Sequence, residues 1–155
     1  MDYIQKTKEY NKVVSDIIKN WGSNILVTRG KCYTAENLDG ILAYNKKEII
    51  GLGLYYIKGN ECEIVLLETF IQNKGIGTMI IEKIKETAKT KNCKRIWLIT
   101  TNSNINALKF YQKRGFHFSN IYINAIEESR KIKPEIPKEE NGIEIRDEIE
   151  FEMEI

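Results

Sequence analysis

The chain turns at Gln72-Asn73-Lys74-Gly75-Ile76-Gly77-Thr78, between the apolar run of residues 63–67 and a run over residues 79–88 with apolar side chains at helical spacing. The first run predicts a buried strand and the second an amphipathic helix, so the turn opens a helix. Exposed N–H groups and the positive end of the dipole at a helix start attract anions, and glycines let a phosphate reach the backbone. The stretch therefore favours a phosphate-bearing cofactor, while a plain turn before a helix is the simpler alternative.

The composition limits the class of protein. A length of 155 residues fits one domain, which we predict over residues 1–155. The formal net charge of +2 argues against a nucleic-acid partner or a membrane surface. The cysteines, Cys32, Cys62 and Cys93, form no close pair and predict neither disulfides nor a zinc site. Because the chain has no signal-like start and no long apolar run, we expect a cytoplasmic protein with no metal, no nucleic-acid partner and no membrane partner.

The first half of the chain predicts one helix followed by strands. Apolar residues at helical spacing predict a helix over residues 4–21, with Trp21 on its apolar stripe and Gly22 as its end. Strands are predicted over residues 24–29, 41–44, 49–57 and 62–69, with a partly helical loop over residues 30–40. The last two strands flank a short polar turn and predict a hairpin within an antiparallel meander.

The second half predicts a parallel crossover. An apolar run over residues 95–101 follows the helix after the glycine turn, so strand, helix and strand form a β-α-β unit. The turn then lies at the carboxyl end of this strand pair, where open sheets bind ligands. The remaining pattern predicts a helix over residues 104–114, a strand over 116–123 and a helix over 124–132. At the end, apolar residues alternate with glutamates over residues 148–155, which predicts a strand with one buried and one solvated acidic face.

Two stretches together carry a resemblance to a known family. The turn has Gln72, Gly75 and Gly77 in the spacing Gln-x-x-Gly-x-Gly, and a later stretch reads Asn104-Ile105-Asn106-Ala107-Leu108-Lys109-Phe110-Tyr111-Gln112-Lys113-Arg114-Gly115-Phe116. These resemble the acyl-CoA signature and the later Asn, Ala, Phe-Tyr, Gly-Phe motif of the GNAT superfamily of acyl-CoA N-acyltransferases. The resemblance covers most of the chain from about residue 49 onward. It implies an α/β (α+β) fold with a mixed, largely antiparallel sheet, a central parallel β-α-β crossover and helices on both faces.

The chain departs from the family pattern in two places. The segment Glu68-Thr69-Phe70-Ile71 lacks the proline that many relatives have before the glycine turn, and residues 124–147 form a longer segment than a minimal member needs. This second segment resembles a subgroup of small bacterial relatives with a Lys-Pro-x-Ile-Pro loop and an Asp-Glu-Ile-Glu ending. The family's acceptor is set mainly by its first helices and last loops, which correspond here to residues 4–31 and 124–147.

The resemblance implies acetyl-CoA as the cosubstrate and assigns residues to it. Lys74 makes a charge contact with the cofactor or is simply solvated. Asn104 caps the helix predicted over residues 104–114 and contacts the cofactor. The other assignments rest on backbone atoms. The pyrophosphate is assigned to Gln72, Asn73, Lys74, Gly75, Ile76, Gly77 and Thr78, and the pantetheine arm to the strand near Leu67 and Thr69.

The resemblance also implies catalytic roles. Tyr111 occupies the position of the general acid that protonates the departing thiolate, with a core tyrosine as the alternative. Glu68 and Glu63 are the candidate bases, and their odd-even difference in number predicts opposite faces of the strand. At most one then faces the acyl group, so we prefer Glu68, which is nearer the turn; Glu63 is the alternative, acting through a water molecule.

The resemblance therefore predicts an N-acetyltransferase. The enzyme moves an acetyl group from acetyl-CoA to a primary amine, of a small molecule or a peptide, by direct attack in a ternary complex. The alternative on the same fold is a non-catalytic acyl-CoA-binding sensor or interaction module. The sequence does not fix the acceptor, and it is compatible with a homodimer.

Overall fold

A computed structural model describes residues 2–5, 8–19 and 25–155 of the chain. The described residues divide into two units, each with its own packing. The first unit contains the described residues up to Leu26, the segment Tyr33–Ile96 and Ile155. The second unit contains Val27–Cys32 and Trp97–Glu154.

The elements follow one another in the order that the apolar patterns predict, with additional strands near the N-terminus and within residues 139–144. The elements up to the crossover are β1 Asp2–Gln5, α1 Lys8–Lys19, β2 Ile25–Thr28, β3 Lys31–Thr34, a 3₁₀ turn Ala35–Asn37, β4 Asp39–Asn45, β5 Glu48–Lys58, β6 Glu61–Thr69, α2 Ile76–Thr90 and β7 Arg95–Thr101. Those that follow are α3 Ile105–Gln112, β8 His117–Tyr122, α4 Ala125–Ile132, β9 Glu139–Glu140, β10 Ile143–Glu144 and β11 Glu148–Glu154.

The N-terminal prediction was wrong in two respects. Residues 2–5 form a strand that pairs antiparallel with β4, so the helix begins at Lys8 rather than at residue 4. The predicted loop over residues 30–40 contains β3, which joins β2 through a tight turn with positive φ at Arg29 and Gly30. Both strands are short, so local sequence patterns hold little information about their pairing. Trp21 and Gly22, predicted at the end of the helix, lie outside the described residues.

The antiparallel meander of the first unit is confirmed. Strands β4, β5 and β6 pair in sequence order, each antiparallel to the next. Helix α1 covers one face, where Val14 and Ile18 pack with Leu52 and Leu54 in the core. Helix α2 covers the other face, where the position of a side chain at Gly51 would lie 2.8 Å from Ile76 Cγ2. Helices therefore cover both faces, as the resemblance implies.

The parallel β-α-β crossover is confirmed by contacts at the starts of two neighbouring strands. The Lys94 N–H donates to the Asn60 carbonyl oxygen over 2.7 Å, and Arg95 Nη1 lies 3.3 Å from Glu61 Oε1. These residues stand immediately before or at the first positions of β7 and β6. Because the two strands start side by side and are joined through α2, they run in the same direction. The predicted α/β fold class, with a parallel crossover in a largely antiparallel sheet, is therefore confirmed.

The second unit is built around its last strand. Here β11 lies between β7 and β8, and it pairs antiparallel with β8 from Glu148 to Glu152. The prediction of a solvated acidic face was wrong at Glu148, which is 2% exposed. Its carboxylate accepts a hydrogen bond from the Ser129 hydroxyl over 2.8 Å and from the Arg29 N–H over 3.1 Å. These donors replace the water that an exposed carboxylate would bind.

Side chains hold the segment of residues 124–147 in place. Asn102 accepts backbone hydrogen bonds from Arg146 over 3.1 Å and from Asp147 over 3.0 Å. The guanidinium of Arg130 donates to the carbonyls of Pro137 and Ile145 over 2.8 and 2.9 Å. The segment is thus an ordered part of the second unit, in which α4, β9 and β10 are joined by irregular loops.

Candidate functional site

The glycine turn forms the N-terminus of α2. Gly75 occupies the N-cap position in a left-handed conformation with φ of 72°, and Asn73 also has a positive φ of 58°. Gly75 has no side chain to cap the helix, so the first amide groups of α2 lack the acceptor that Ser, Asp or Asn would supply. Among the described residues other than its chain neighbours, none has an atom within 4 Å of the position that a Cβ at Gly75 would take. The turn therefore offers open space next to backbone donors, and Gln72, Asn73 and Lys74 are exposed around it.

The strand before the turn places Leu67 and Thr69 on the face covered by α2. They stand opposite Gly53 and Gly51 of β5, and both are partly buried. The following residue, Phe70, still donates its N–H to the Ile50 carbonyl oxygen over 2.9 Å. Only two residues, Phe70 and Ile71, separate this part of β6 from the turn.

A β-bulge in β6 corrects the predicted placement of the two glutamates. Leu54 pairs with Leu66 and Tyr55 with Ile64, so Val65 is an extra residue between two consecutive pairs. Such a residue reverses the alternation of side chains beyond it. Glu63 stands opposite Tyr56 and Glu68 opposite Leu52. Tyr56 and Leu52 are four residues apart on β5, so both glutamates project from the same face.

That shared face is the one covered by α1, since Leu52 belongs to the core cluster around Val14 and Ile18. The prediction that Glu63 and Glu68 lie on opposite faces is therefore wrong. It assumed an unbroken alternation over six residues, which the bulge at Val65 interrupts. Both carboxylates remain candidates for chemistry on this face of the sheet.

The environments of the two glutamates differ. Glu63 is 2% exposed, and its Oε2 accepts a hydrogen bond from the Tyr33 hydroxyl over 2.8 Å. Glu68 lies nearer the end of β6 and is partly exposed, and burial raises the pKa of its carboxyl above the ordinary value. A carboxylate with a raised pKa is a stronger base, which suits proton abstraction from an amine.

Tyr33 and Tyr56 are neighbours of the candidate base Glu63 that the sequence did not reveal. Their rings pack with centroids 5.5 Å apart, beside Glu63. Tyr56 could have been found from the predicted hairpin, because the register around its turn places it opposite Glu63. Tyr33 carried no such signal, since it lies in the stretch predicted as a loop.

The second unit contains Tyr111 and Asn104. Tyr111 is 8% exposed, and its ring contacts Phe110, Phe116 and Phe151 at centroid distances of 5.1, 5.5 and 5.8 Å. Burial raises the pKa of its hydroxyl, which keeps the proton available for donation at neutral pH. The predicted cap at Asn104 is confirmed, because its Oδ1 accepts the Ala107 N–H over 3.1 Å.

Two other kinds of site are absent from the part of the chain that the structure describes. No helix there is long and apolar enough to cross a membrane. Within the same residues, no group of three or more His, Cys, Asp or Glu side chains is arranged to hold a metal ion.

Comparisons with known proteins agree with one another. The family model described as "Acetyltransferase (GNAT) family" matches residues 7–116. The chain is 49% identical over 135 residues to the uncharacterized protein YdhI of Bacillus subtilis, covering 86% of this chain and 84% of that protein. It is 47% identical over 133 residues to the uncharacterized protein YxbD of the same organism, covering 84% of each. A crystal structure of a GNAT family acetyltransferase from Elizabethkingia anophelis with acetyl-CoA bound superposes with a TM-score of 0.73 at 25% identity, covering 99% of this chain and 97% of that one.

Proposed function

This chain belongs to the GNAT family of acetyltransferases, and from that premise we propose that it transfers an acetyl group from acetyl-CoA to a primary amine by direct attack in a ternary complex. The observation that carries the proposal is the uncapped start of α2, with Gly75 in a left-handed conformation beside open space. A diphosphate needs several donors at close range, which a helix N-terminus without side chains supplies. The similar structure from Elizabethkingia anophelis holds acetyl-CoA, which supports the same ligand here.

The residues of the turn fit the pyrophosphate. Its backbone donors come from the stretch Gln72–Thr78, and Lys74 is exposed next to them. The part of β6 with Leu67 and Thr69 directly precedes the turn and is assigned to the pantetheine arm. Asn104 is assigned to a cofactor contact in addition to its confirmed role as a helix cap.

Glu68 acts as the general base in this proposal. An alkylamine has a pKa of about 10.4, so neutralising it at pH 7 costs about 4 to 5 kcal/mol, and a nearby base is useful. Acetyl-CoA supplies the acetyl group as a thioester. As the amine nitrogen bonds to the acetyl carbon, Glu68 accepts the proton that the nitrogen loses. Its partial exposure and the raised pKa of its carboxyl favour it over Glu63, which is buried and already accepts a hydrogen bond from Tyr33.

Tyr111 acts as the general acid. Breaking the bond between the acetyl carbon and the sulfur leaves a thiolate, which needs a proton. Tyr111 is protonated at neutral pH because burial raises the pKa of its hydroxyl, so it can donate to the sulfur.

The activity is tested by release of free thiol from acetyl-CoA across a panel of primary amines and peptide amines. We expect thiol release that depends on the amine, together with thermal stabilisation of the protein by acetyl-CoA. Tyr111→Phe should lower turnover roughly 10- to 1000-fold with little change in cofactor affinity. Thermal stabilisation without thiol release for any amine would overturn the enzymatic proposal in favour of an acyl-CoA-binding module. Unaltered turnover in Tyr111→Phe would remove that residue from its role.

A further inference from the structure

A hairpin near the end of the segment of residues 124–147 contacts the loop between β7 and α3. Asn141 and Gly142 form its two-residue turn, with φ of 55° and 72°, between the short strands β9 and β10. Asn-Gly suits such a turn because both of its central residues need a positive φ. We call residues 139–144 the clasp hairpin. A two-stranded hairpin has little stability alone, so its contacts with the rest of the second unit keep it in place.

The clasp hairpin contacts Ser103 through both the side chain and the backbone of that residue. Ser103 is 0% exposed, and its Oγ donates a hydrogen bond to Glu140 Oε2 over 3.0 Å. Its carbonyl oxygen accepts a hydrogen bond from Asn141 Nδ2 over 3.2 Å. The Ser103 hydroxyl also lies 3.1 Å from Thr101 Oγ1. Ser103 is therefore fixed by side chains that lie 37 and 38 positions later in the sequence.

Asn102 is held by the last residue of the clasp hairpin and by the backbone that follows it. Its Nδ2 donates to the Glu144 carbonyl over 2.9 Å, and its N–H donates to the Asp147 carbonyl over 3.1 Å. Its Oδ1 accepts the N–H of Asp147 over 3.0 Å. Two of the three residues between β7 and α3 are thus held by later parts of the chain, and the third, Asn104, caps α3.

The direction of α3 determines where Tyr111 stands. Tyr111 lies seven residues after the cap residue Asn104, which corresponds to about 10 Å along a helix axis. A rotation of about 6° at the start of α3 would therefore move Tyr111 by about 1 Å, and a shift of this size at a reacting group can lower a rate roughly 100-fold. The ring contacts of Tyr111 with Phe116 and Phe151 are apolar and set direction less strictly than hydrogen bonds do. The hydrogen bonds at the start of α3 therefore set its orientation.

We propose that the clasp hairpin orients α3 so that the hydroxyl of Tyr111 is aligned with the sulfur that leaves during acetyl transfer. This inference rests on the proposed acetyltransferase function and on the role of Tyr111 in it. Glu140 and Asn141 are positioning residues, since they act through Ser103 and α3. Tyr111 remains the group that gives its proton to the sulfur. The clasp hairpin then serves the chemical step equally for every acceptor.

Both positioning residues are suited to substitution. Glu140 and Asn141 are exposed, so replacing them leaves no cavity in the core. Without the Glu140 carboxylate, the buried Ser103 hydroxyl keeps Thr101 Oγ1 as a partner. Asn141→Gly removes the side-chain donor and still tolerates the positive φ of the turn. We therefore expect both variants to melt within about 4 °C of the wild type.

The first test measures acetyl transfer by variants of the clasp hairpin. With acetyl-CoA saturating, Glu140→Ala and Asn141→Gly should each lower kcat roughly 3- to 30-fold. The factor should be similar for every amine that the wild type acetylates, and the KM for the amine should stay within about twofold. Glu140→Gln keeps an oxygen acceptor for Ser103 and should retain most of the activity. The matched control is Glu139→Ala, which removes an equal charge from an exposed position of β9 and should leave kcat unchanged.

The second test combines a hairpin variant with Tyr111→Phe. If the clasp hairpin acts through the Tyr111 hydroxyl, Glu140→Ala should change kcat by less than about twofold once that hydroxyl is absent. An equal loss of kcat in both backgrounds would overturn the inference, because the hairpin would then affect catalysis by another route.

A third measurement reports on α3 directly. The N–H groups of Ala107 and Leu108 both donate to Asn104, so their hydrogen exchange reports on the first turn of the helix. Exchange at these two positions should become roughly 3- to 10-fold faster in Glu140→Ala and should not change in Glu139→Ala. Unchanged exchange in Glu140→Ala would mean that the hairpin does not hold the start of α3, and would overturn the inference.

The outcomes separate this inference from the proposed function. Thiol release by the wild type, with unaltered kcat in both Glu140→Ala and Asn141→Gly, would overturn the inference alone. A loss confined to some of the amines would do the same, because the hairpin would then act on the acceptor rather than on Tyr111. Absence of thiol release by the wild type with every amine would overturn the proposed function itself.

Discussion

Glu68 is the proposed catalytic base, and its buried carboxylate also lowers the stability of the fold when it is ionised. One variant of this residue can test both effects. Burial raises the pKa of its carboxyl, so the folded protein binds this proton more tightly than the unfolded chain does. Stability from this group is present at acidic pH and is lost as the pH rises through the raised pKa. At neutral pH the ionised carboxylate therefore destabilises the fold relative to a neutral isostere.

We predict that Glu68→Gln raises the melting temperature at neutral pH while lowering acetyl transfer. The gain should shrink as the pH falls toward about 4, where the wild-type carboxyl also becomes protonated. Thermal melts across this pH range, together with thiol-release assays, make the measurement. The matched control is Glu154→Gln at an exposed position, for which we expect neither effect. A melting temperature that drops at neutral pH would contradict the argument.

The faces of Glu63 and Glu68 show why single residues of the site were only partly predictable. The glycine turn was readable because its signal is local: Gly75 adopts a positive φ where the sequence places a glycine. The face of a side chain depends on the pairing of its strand, and the extra residue Val65 leaves no mark in the composition of β6. Likewise Tyr33 reaches Glu63 from 30 positions away in sequence, a contact that only the fold creates.

At the level of elements, the close contact between α2 and β5 predicts that a side chain added at Gly53 lowers the stability of the protein. The side chain of an alanine at position 53 would collide with Ile80 Cγ2 and would lie 3.1 Å from Ile84 Cδ1. Because Ile80 is β-branched on a helix, it has little freedom to move aside. Gly53→Ala should therefore destabilise the protein by roughly 1 to 3 kcal/mol, measured by urea unfolding.

A second background serves as the control for this contact. Ile80→Ala removes the colliding methyl group, at its own cost in stability. In that background, adding Gly53→Ala should have a much smaller effect, so the two substitutions are not additive. An equal penalty in both backgrounds would show that Gly53 is needed for some reason other than its contact with Ile80.

The elements that the sequence predicted share a physical property. The β5–β6 hairpin, α2 and β7 each come from a long apolar stretch between polar turns. Each stretch is long enough to show the spacing of apolar residues that is typical of a strand or a helix. The strands it missed are short, because β1 and β3 have four residues each and β9 and β10 have two each. Strands this short are specified by their neighbours, because β1 forms by pairing with β4 rather than by any pattern of its own.

At the level of the whole molecule, chain order and spatial order diverge. In the second unit, the last strand, β11, lies between β7 and β8, so the sheet of that unit is completed only by the end of the chain. We predict that deleting residues 148–155 abolishes hydrogen-exchange protection over His117–Tyr122 and the cooperative unfolding of this unit, because β8 loses its paired neighbour. The measurements are hydrogen exchange and thermal melting.

A shorter deletion provides the control. Removing only Glu154 and Ile155 keeps the paired positions Glu148 to Glu152, so protection over β8 should persist. If the shorter deletion had as large an effect as the longer one, the loss of strand pairing would not be the cause.

The bulge at Val65 bears on how this chain should be compared with its relatives. Two proteins with a glutamate at the same count before the glycine turn can present it on opposite sides of the sheet if only one of them has the extra residue. Offsets counted back from the turn therefore do not establish which acidic residues are functional counterparts. The residue that faces each glutamate across the hairpin does establish it. In this chain Tyr56 faces Glu63, and Leu52 faces Glu68. A gain or loss of one residue at this point of β6 would change the number of residues between Glu63 and the turn by one, while Glu63 would still face Tyr56 and Glu68 would still face Leu52.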